Sequence, residues 1–396
     1  MIVVGLLSGT SADGVDAAAA AIGIVGDTVE FTPLGHRTVP FSAEVRRALT
    51  QVLPPNRGDA ASLCRLDTVL GQAFADAAVT ADRDLCDGRA DLIASHGQTV
   101  YHWIEEGRCR GTLQLGQPAW ISAATGRPVV SDLRAADVAA GGQGAPLAPL
   151  FDRLLLADRP GRQVALNLGG IANITVVVDG RIVVAHDTGP ANTLIDAAAR
   201  LVLHAPYDRG GVAAAAGRPS APLLELLLAD PYYDRPPPKS TGREHFDDRY
   251  LQAALERAGL CDAAGGQKLA PEDLVATVTE ATVRTVADAV SRAGGADEVV
   301  VSGGGVHNRT LLYGLRSRLG APVVSIDQLG IAADGKEAYL FALLGYLAVH
   351  GVPGADPVAT GAGAAAVLGS LTPPSARLAE PLATGAAVRR LRVVAS

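Results

Sequence analysis

Three glycine-rich turns each follow an apolar run: Gly9 to Gly14 in GTSADG, Gly169-Gly170 in LNLGGIANIT, and Gly303-Gly304-Gly305 in VVVSGGGVHN. Glycine permits positive φ and close approach to the backbone, so such turns can aim several N–H groups at phosphate oxygens. Ser8, Thr10 and Ser11 add hydroxyl donors at the first turn. Any one of the three is equally a turn that needs glycine for its shape; three at strand ends together point to a nucleotide. The chain has no GxxxxGK[ST] P-loop and no GxGxxG dinucleotide turn. The second turn belongs to a longer feature, Leu166 to Asn192, where Asn167, Gly169, Gly170 and Asn173 interrupt an apolar run that stops at Asp187-Thr188-Gly189-Pro190.

The elements that must position these turns follow from periodicity. IVVGLL, VDAAAAAIGIV and TVEFTPLG, within residues 2–35, predict an antiparallel meander of three strands. Helical spacing takes over from Ser42 to Val52 and from Ala60 to Asp82, where Leu63, Leu66, Leu70 and Phe74 recur at steps of three and four. ADLIASHGQTVYH and RPVVSDLRAADVAAGGQGAP each run from a β-like core into a polar, glycine-rich end, and residues 147–157 predict a helix. The second half then begins as the first did: VALNLGG, IANITVVVDG and RIVVAHDTG are strands, and PANTLIDAAARLVL is a helix with Pro190 near its start. PYYDRPPPKSTGREHF is a loop stiffened by three prolines. The helix PEDLVATVTEATVRTVADAVSRAGG, the strand-turn-helix DEVVVSGGGVHNRTLLYGLRSRL, the strand PVVSID and the helix DGKEAYLFALLGYLAV complete the half.

Strand, turn, strand, turn, strand, helix thus occurs twice, without residue-level repetition. The expected fold class is α/β, two duplicated halves with a ligand cleft between them. The expected division is residues 1–145, residues 146–373 and a peripheral tail over 374–396, with a hinge near 145–160 and again in the C-terminal helices.

The 396 residues, 48% hydrophobic and 19% charged, suit two or three domains. Aromatics at 4% and a single Met leave Ala, Val, Leu and Ile to build the cores, as in helices packed on sheets. A net charge of −7 without a long basic run excludes an electrostatic nucleic-acid footprint. Cys64, Cys86, Cys109 and Cys261 lie far apart, in neither disulfide-framework nor zinc spacing. No run of about 18 apolar residues occurs, and the first apolar stretch is too short and lacks the basic flank of a secretory leader. A reduced, cytoplasmic protein is expected.

A hairpin phosphate clamp in each of two halves, with a GGG turn before a helix, resembles the actin/Hsp70/hexokinase superfamily of ATP-dependent proteins. The stretches GLLSGTSADGVD, SHGQTVYH, TLQLGQPA, ADVAAGGQGAPLAP, LNLGGIANIT, DTGPAN, PPPKSTGRE, SGGGVHN and ATGA narrow the match. They stand in the order found in bacterial anhydro-N-acetylmuramic acid kinases and span nearly the whole chain. The resemblance implies two actin-like, ribonuclease H-like halves around an ATP cleft, ATP and Mg²⁺ as cofactors, and a homodimer. It also implies a reaction in peptidoglycan recycling: water opens the anhydro bridge of 1,6-anhydro-N-acetylmuramic acid, and the released O6 takes the γ-phosphoryl group of ATP.

On that resemblance Asp187 is the expected base for water; by type alone it is equally a turn acid or helix N-cap. Gly9, Thr10, Ser11, Ala12, Asp13, Gly14, Val15 and Asp16 match the nucleotide-binding stretch, with Asp13 and Asp16 as organisers of Mg²⁺ and its waters. Gly169 and Gly170 are expected at the phosphates, with Asn167 and Asn173 bracing their turn. Gly303, Gly304, Gly305 and Asn308 are expected on the adenosine side. His96, Gln98, Thr99, Arg134, Asp137 and Arg243 are the sugar candidates, the arginines because a guanidinium suits the lactyl carboxylate. Lys239, Ser240 and Thr241 are alternatively a phosphate closure. Ala12 replaces a larger apolar residue of the family and Gln117 stands where Asp is common, so the latter's role is open. Two other readings stand beside this one: a kinase of another sugar, and an actin- or Hsp70-like ATPase switch.

Overall fold

The computed structural model describes the chain except Thr10, Ser11, Pro54, Pro55, Arg57, Arg243 and residues 262–266, 375–388 and 395–396. It packs as two compact units, residues 1–157 with 330–396, and residues 158–329.

The first unit opens with the expected meander, β1 (Ile2–Ser8), β2 (Gly14–Val25) and β3 (Thr28–Pro40). There follow α1 (Ala43–Val52), α2 (Ala60–Cys86), β4 (Leu92–Glu105), β5 (Arg108–Leu115), α3 (Pro118–Thr125), β6 (Val129–Ser131), α4 (Ala135–Ala139) and α5 (Ala148–Leu156). The second unit comprises β7 (Arg162–Leu168), β8 (Ile171–Val178), β9 (Arg181–Pro190), α6 (Asn192–Leu203), α7 (Val212–Ala216), α8 (Ala221–Leu228), α9 (Asp248–Arg257), α10 (Pro271–Arg292), β10 (Glu298–Ser302), α11 (Arg309–Leu319) and β11 (Val323–Ser325). The chain then returns to the first unit as α12 (Lys336–Val349), α13 (Pro357–Thr360), β12 (Ser370–Thr372) and β13 (Arg390–Val393).

The two sheets share one plan. Their cores run β3-β2-β1-β4-β6 and β9-β8-β7-β10-β11. In each, the first strand is antiparallel to the second and the second to the third, while the first, fourth and fifth are parallel. The duplicated topology predicted from the strand-turn-strand pattern is therefore present, and the fold is α/β with two halves of one plan.

Central β1 is buried along almost its whole length, which is why it reads as an unbroken apolar run rather than an alternating one. In β2 the run Ala17, Ala18, Ala19 and Ala20 is fully buried, and Ala17 and Ala19 meet α2 through Leu66, Leu70 and Phe74. Leu63 of the predicted stripe is only partly buried. Asp59 caps α2 by accepting from Ser62 N–H at 2.8 Å, and the helix runs four residues past its expected end, to a left-handed Asp87.

Three expectations are corrected. The boundary at 145 and the assignment of 330–373 to the second half do not hold, because α12, apolar on all sides, packs on β1, β2 and β4 of the first unit. The tail is not wholly peripheral: Arg390–Val393 extends the first sheet in parallel beside β3, with Leu391 buried, although 375–388 lie outside the described residues. Pro190 ends β9 rather than opening the next helix, since it still pairs with Ile171.

Candidate active site

In the second unit two of the three glycine turns come together. β10 runs parallel to β7 with Ser302 beside Asn167, so the turns that follow both strands meet. Gly303 has φ +80°, and a Cβ there would stand 2.5 Å from Asn167 Oδ1 and 3.0 Å from the Leu168 carbonyl carbon. A Cβ on Gly305 would stand 2.5 Å from Leu168 Cβ. Gly303 is required by both conformation and space, and Gly305 by space. Gly169 and Gly170 are different, for neither takes positive φ. Their carbonyls accept the N–H groups of Ala191, Asn192 and Thr193 at 2.9–3.1 Å, and Asn192 Nδ2 donates to Leu168 O at 2.9 Å. The turn itself thus caps α6, which has no side-chain cap. Asn167 and Asn173 face each other in register across the hairpin.

Asn308 is buried and its Oδ1 accepts from Leu311 N–H at 2.9 Å, the N-cap of α11. A segment that sequence reasoning passed over packs against it. Gly210 and Gly211 have φ of +69° and +74°, Gly211 would clash with Asn308 Oδ1 if it bore a Cβ, and Thr310 Oγ1 donates to Gly211 O at 2.6 Å. Asp208 accepts from Ala213 and Ala214 N–H at 2.9 and 3.0 Å and fixes that turn. The sequence signal was the Asp-Arg-Gly-Gly run before an alanine helix.

Asp187 lies near the end of β9 beneath the proline-stiffened loop. Its Oδ2 accepts from Thr241 N–H at 2.9 Å, its own N–H donates to Lys239 O at 3.2 Å, and its carbonyl accepts from Tyr232 Oη at 2.8 Å. Burial pushes the carboxyl up to about 6; the Thr241 N–H opposes this and the Glu244 carboxylate adds to it. Such a group is ionised at neutral pH yet basic enough to take a proton. It caps no helix, so the N-cap alternative fails. Lys239 Nζ donates to Tyr233 O at 2.9 Å and Tyr232 O at 3.3 Å and lies over the Tyr232 ring, so two of its three N–H bonds secure the loop. Arg243 lies outside the described residues.

In the first unit the β1–β2 turn is held from below. Ser8 Oγ donates to Gln98 Oε1 at 2.6 Å, and Gln98 Nε2 donates to Gly9 O at 3.4 Å and Thr99 O at 3.1 Å. Gln98 is therefore a brace for the turn, with both amide protons spent on Gly9 and Thr99. Ala12, at φ +52°, donates to Gly9 O at 3.1 Å and packs on the core beneath; Thr10 and Ser11 lie outside the described residues. Gly14 opens β2 and would meet Val39 O at 2.7 Å with a Cβ, and Val15 is buried in the core. Asp16 accepts from Thr38 Oγ1 at 2.5 Å. Burial raises its pKa; Thr38 and His36 oppose, while the Asp13 and Asp334 carboxylates add to it.

The SHGQT and DLRAAD stretches do meet. Arg134 Nε donates to His96 Nε2 at 2.7 Å and Nη1 donates to Gly144 O at 2.7 Å. A carbonyl only accepts, so His96 Nδ1 carries the proton and donates to Gly97 O at 3.0 Å. With the ring packed at 4.5 Å on Phe341, burial and the neighbouring guanidinium push the imidazole well below its ordinary pKa. His96 is thus a neutral support with both nitrogens occupied, not a sugar ligand. Asp137 is corrected likewise: it is fully buried, and its two oxygens accept from Gly144 N–H at 2.8 Å and Thr360 Oγ1 at 2.7 Å. Both residues hold Arg134 and its loop. Burial lowers Arg134 to about 10, still a cation at neutral pH, and among the described residues Nη2 has no acceptor. Thr99 Oγ1 accepts from Gln114 Nε2 at 3.2 Å. Gln117 caps α3 through Ala119 N–H at 3.4 Å.

Among the described residues no three His, Cys, Asp or Glu side chains converge as a metal site, and no helix is long and apolar enough to cross a membrane. The profile of the family described as Anhydro-N-acetylmuramic acid kinase matches residues 1–374. Proteins of that name from Streptomyces coelicolor and Streptomyces avermitilis are 52% and 54% identical to this chain. The alignments cover 100% of this chain and 99% of the first relative, and 94% of each chain for the second. One from Rhodococcus erythropolis is 51% identical over the full length of both. A ROK hexokinase structure from Thermus thermophilus, 22% identical, covers 88% of this chain and 99% of its own with a TM-score of 0.36, too low to argue from.

Proposed function

Because the chain belongs to the anhydro-N-acetylmuramic acid kinase family, we propose that it opens 1,6-anhydro-N-acetylmuramic acid with water and phosphorylates O6 from ATP, and that Asp187 is the base. The observation that carries this reading is the Asp187 carboxyl, held at about 6 with one oxygen fixed by Thr241 N–H. In the reaction the water oxygen bonds to the anomeric carbon as its proton passes to Asp187, and the bond from that carbon to O6 breaks. O6 then bonds to the γ-phosphorus, the bond from that phosphorus to the bridging oxygen breaks, and ADP leaves. A placed base contributes about 10² to 10⁴ in rate.

The turns at Gly169-Gly170 and Gly303-Gly304-Gly305 are assigned to the nucleotide, as is Gly9 to Asp16, including the Thr10 and Ser11 hydroxyls. Mg²⁺ would be held near Asp13 and Asp16, largely through water, and would neutralise phosphate charge. The crowding of Asp16 by Asp13 and Asp334 fits a cation there. Arg134 is assigned to the lactyl carboxylate; His96 and Gly144 hold its Nε and Nη1 and so set the plane it presents. Arg134→Lys, which cannot keep both bonds, is expected to raise the sugar KM about 10- to 100-fold with a smaller change in kcat. An unchanged KM in steady-state kinetics would remove Arg134 from the sugar. We further assign the protein to the cytoplasm and to a homodimer, on family membership alone.

The reaction is tested by incubating the protein with Mg-ATP and the anhydro sugar in ¹⁸O-labelled water. One ¹⁸O in the phosphorylated product, with stoichiometric ADP, is expected. ADP without sugar phosphate would instead mark an ATPase switch, and phosphorylation of plain hexoses a different sugar kinase.

A further inference from the structure

Beside the strand that carries Asp187 the second unit encloses a cavity of about 360 Å³, walled by β9, α10 and the proline-stiffened loop. His186 and Thr188 line it, whereas Asp187 does not, so it is not the space that the Asp187 carboxylate faces. Its polar inventory is lopsided. Thr188 Oγ1 donates to Ala172 O at 3.2 Å and Thr285 Oγ1 to Thr282 O at 3.1 Å, which spends both hydroxyl protons and leaves both oxygens as acceptors. His186 Nδ1 lies 2.9 Å from the Asp187 carbonyl, which can only accept; Nδ1 therefore carries the proton, and Nε2 of the neutral ring is a third acceptor.

The lining also carries cations from the loop and from α10. Lys239 Nζ uses two of its three N–H bonds on the carbonyls of Tyr232 and Tyr233, and Arg235 and Arg292 stand at the rim. Asp234 and Asp288 also line the rim, and Asp234 pairs with Arg292 at 3.4 Å. Three cations against two carboxylates leave one positive charge, which suits a single carboxylate group, in a hydroxy acid or an amino-acid zwitterion, and disfavours a phosphate dianion. Val184, Leu228 and Ala289 add apolar lining. A ligand that fits presents hydrogen-bond donors to these acceptors and a carboxylate to the cations.

We propose that this cavity is a binding site for a small hydroxy- or amino-carboxylic acid, which acts on the reaction through Lys239. The lysine is the link because its carbonyl accepts the Asp187 N–H and, two residues on, Thr241 N–H holds the Asp187 carboxylate. A carboxylate that engages the ammonium shifts the loop that positions Asp187. This coupling rests on the reading of Asp187 as the base; the binding itself does not.

Calorimetric titration of the full chain, without nucleotide or sugar, tests the binding with D-glycerate, L-serine and inorganic phosphate as probes. D-glycerate and L-serine are expected to bind at about 1 mM, as befits so few atoms, and phosphate at least tenfold more weakly. Ala289→Phe, or Ala293→Leu should the first fail to fold, fills the cavity and is expected to weaken both organic acids at least tenfold. Arg134→Met should leave them unchanged. Absence of binding, binding lost on Arg134→Met, or binding untouched by both filling variants would overturn the site. Saturating D-glycerate is expected to change kcat severalfold in the unsubstituted protein. Binding at the cavity with kcat unaltered would refute the link through Lys239 while leaving the assignment of Asp187 intact.

Discussion

Asp187→Asn is expected to lower turnover by about 10² to 10⁴, with nucleotide affinity unchanged and a higher melting temperature. The loss of rate follows from removing the proton acceptor while its place is kept. An amide is nearly isosteric with the carboxylate and its oxygen can still accept the Thr241 N–H. The gain in stability follows from the same burial that makes the residue a base. The folded carboxyl sits at about 6 against an ordinary 3.8, so the folded protein binds its proton more tightly than the unfolded chain does. That preference stabilises the fold below pH 4 and is lost as pH rises from 4 through 6. At neutral pH the ionised carboxylate therefore costs on the order of 2 to 3 kcal/mol, or several degrees in melting temperature.

The excess stability of the variant should accordingly be small at pH 4 and full by pH 7. In the unsubstituted protein kcat/KM should fall below pH 6 as Asp187 protonates, since Glu244 nearby only raises it and His186 is held neutral by burial. Thermal melts across that range and a pH–rate profile check both. A variant that turns over normally, or one whose stability advantage is largest in acid, would remove Asp187 from the role of buried base.

Much of this was legible in the sequence because it is carried by period and punctuation. The two meanders, the helix stripe of Leu66, Leu70 and Phe74, and the placing of the glycine turns at strand ends all follow from apolar spacing broken by glycine. What sequence cannot tell is how polar atoms are spent. His96, Gln98 and Asp137 carry the side chains of a sugar site, yet each is consumed: by Arg134, by the Ser8–Gly9 turn, and by Gly144 with Thr360. Their types specify donors and acceptors; only the fold decides which partners reach them. Gly210 and Gly211 were missed for the converse reason, since two glycines before an alanine run read as a simple break until Asn308 is seen against them. The unit boundary was misplaced because an all-round apolar helix says that it is buried but not in which core.

Gly5→Val is expected to destabilise the first unit by more than about 3 kcal/mol, through a contact that no motif announces. Gly5 lies mid-way along β1, paired with Ala18 on one side and Ala94 on the other. A Cβ at this position would overlap the Ala338 carbonyl oxygen and the Ala342 nitrogen of α12, with Ala342 Cα at 3.0 Å. These are backbone atoms of a buried helix, so no rotamer change can make room. The helix cannot slide away either, because Gly345 one turn on sits where a Cβ would overlap that of Ala94 on β4. The two glycines fix the depth at which α12 seats on the sheet, and Val adds three carbons at the tightest point. Gly5→Ala, with one carbon, should show the same effect in smaller degree. Melting curves supply the magnitude, and limited proteolysis supplies the location: cleavage should spread through residues 1–157 and 330–374 while a fragment near 158–329, continuous in sequence, survives longer. Melting unchanged from the parent would show that α12 does not seat on β1. Loss of protection in 158–329 ahead of the rest would place residues 330–349 with the second half after all, as the linear reading of the sequence had them.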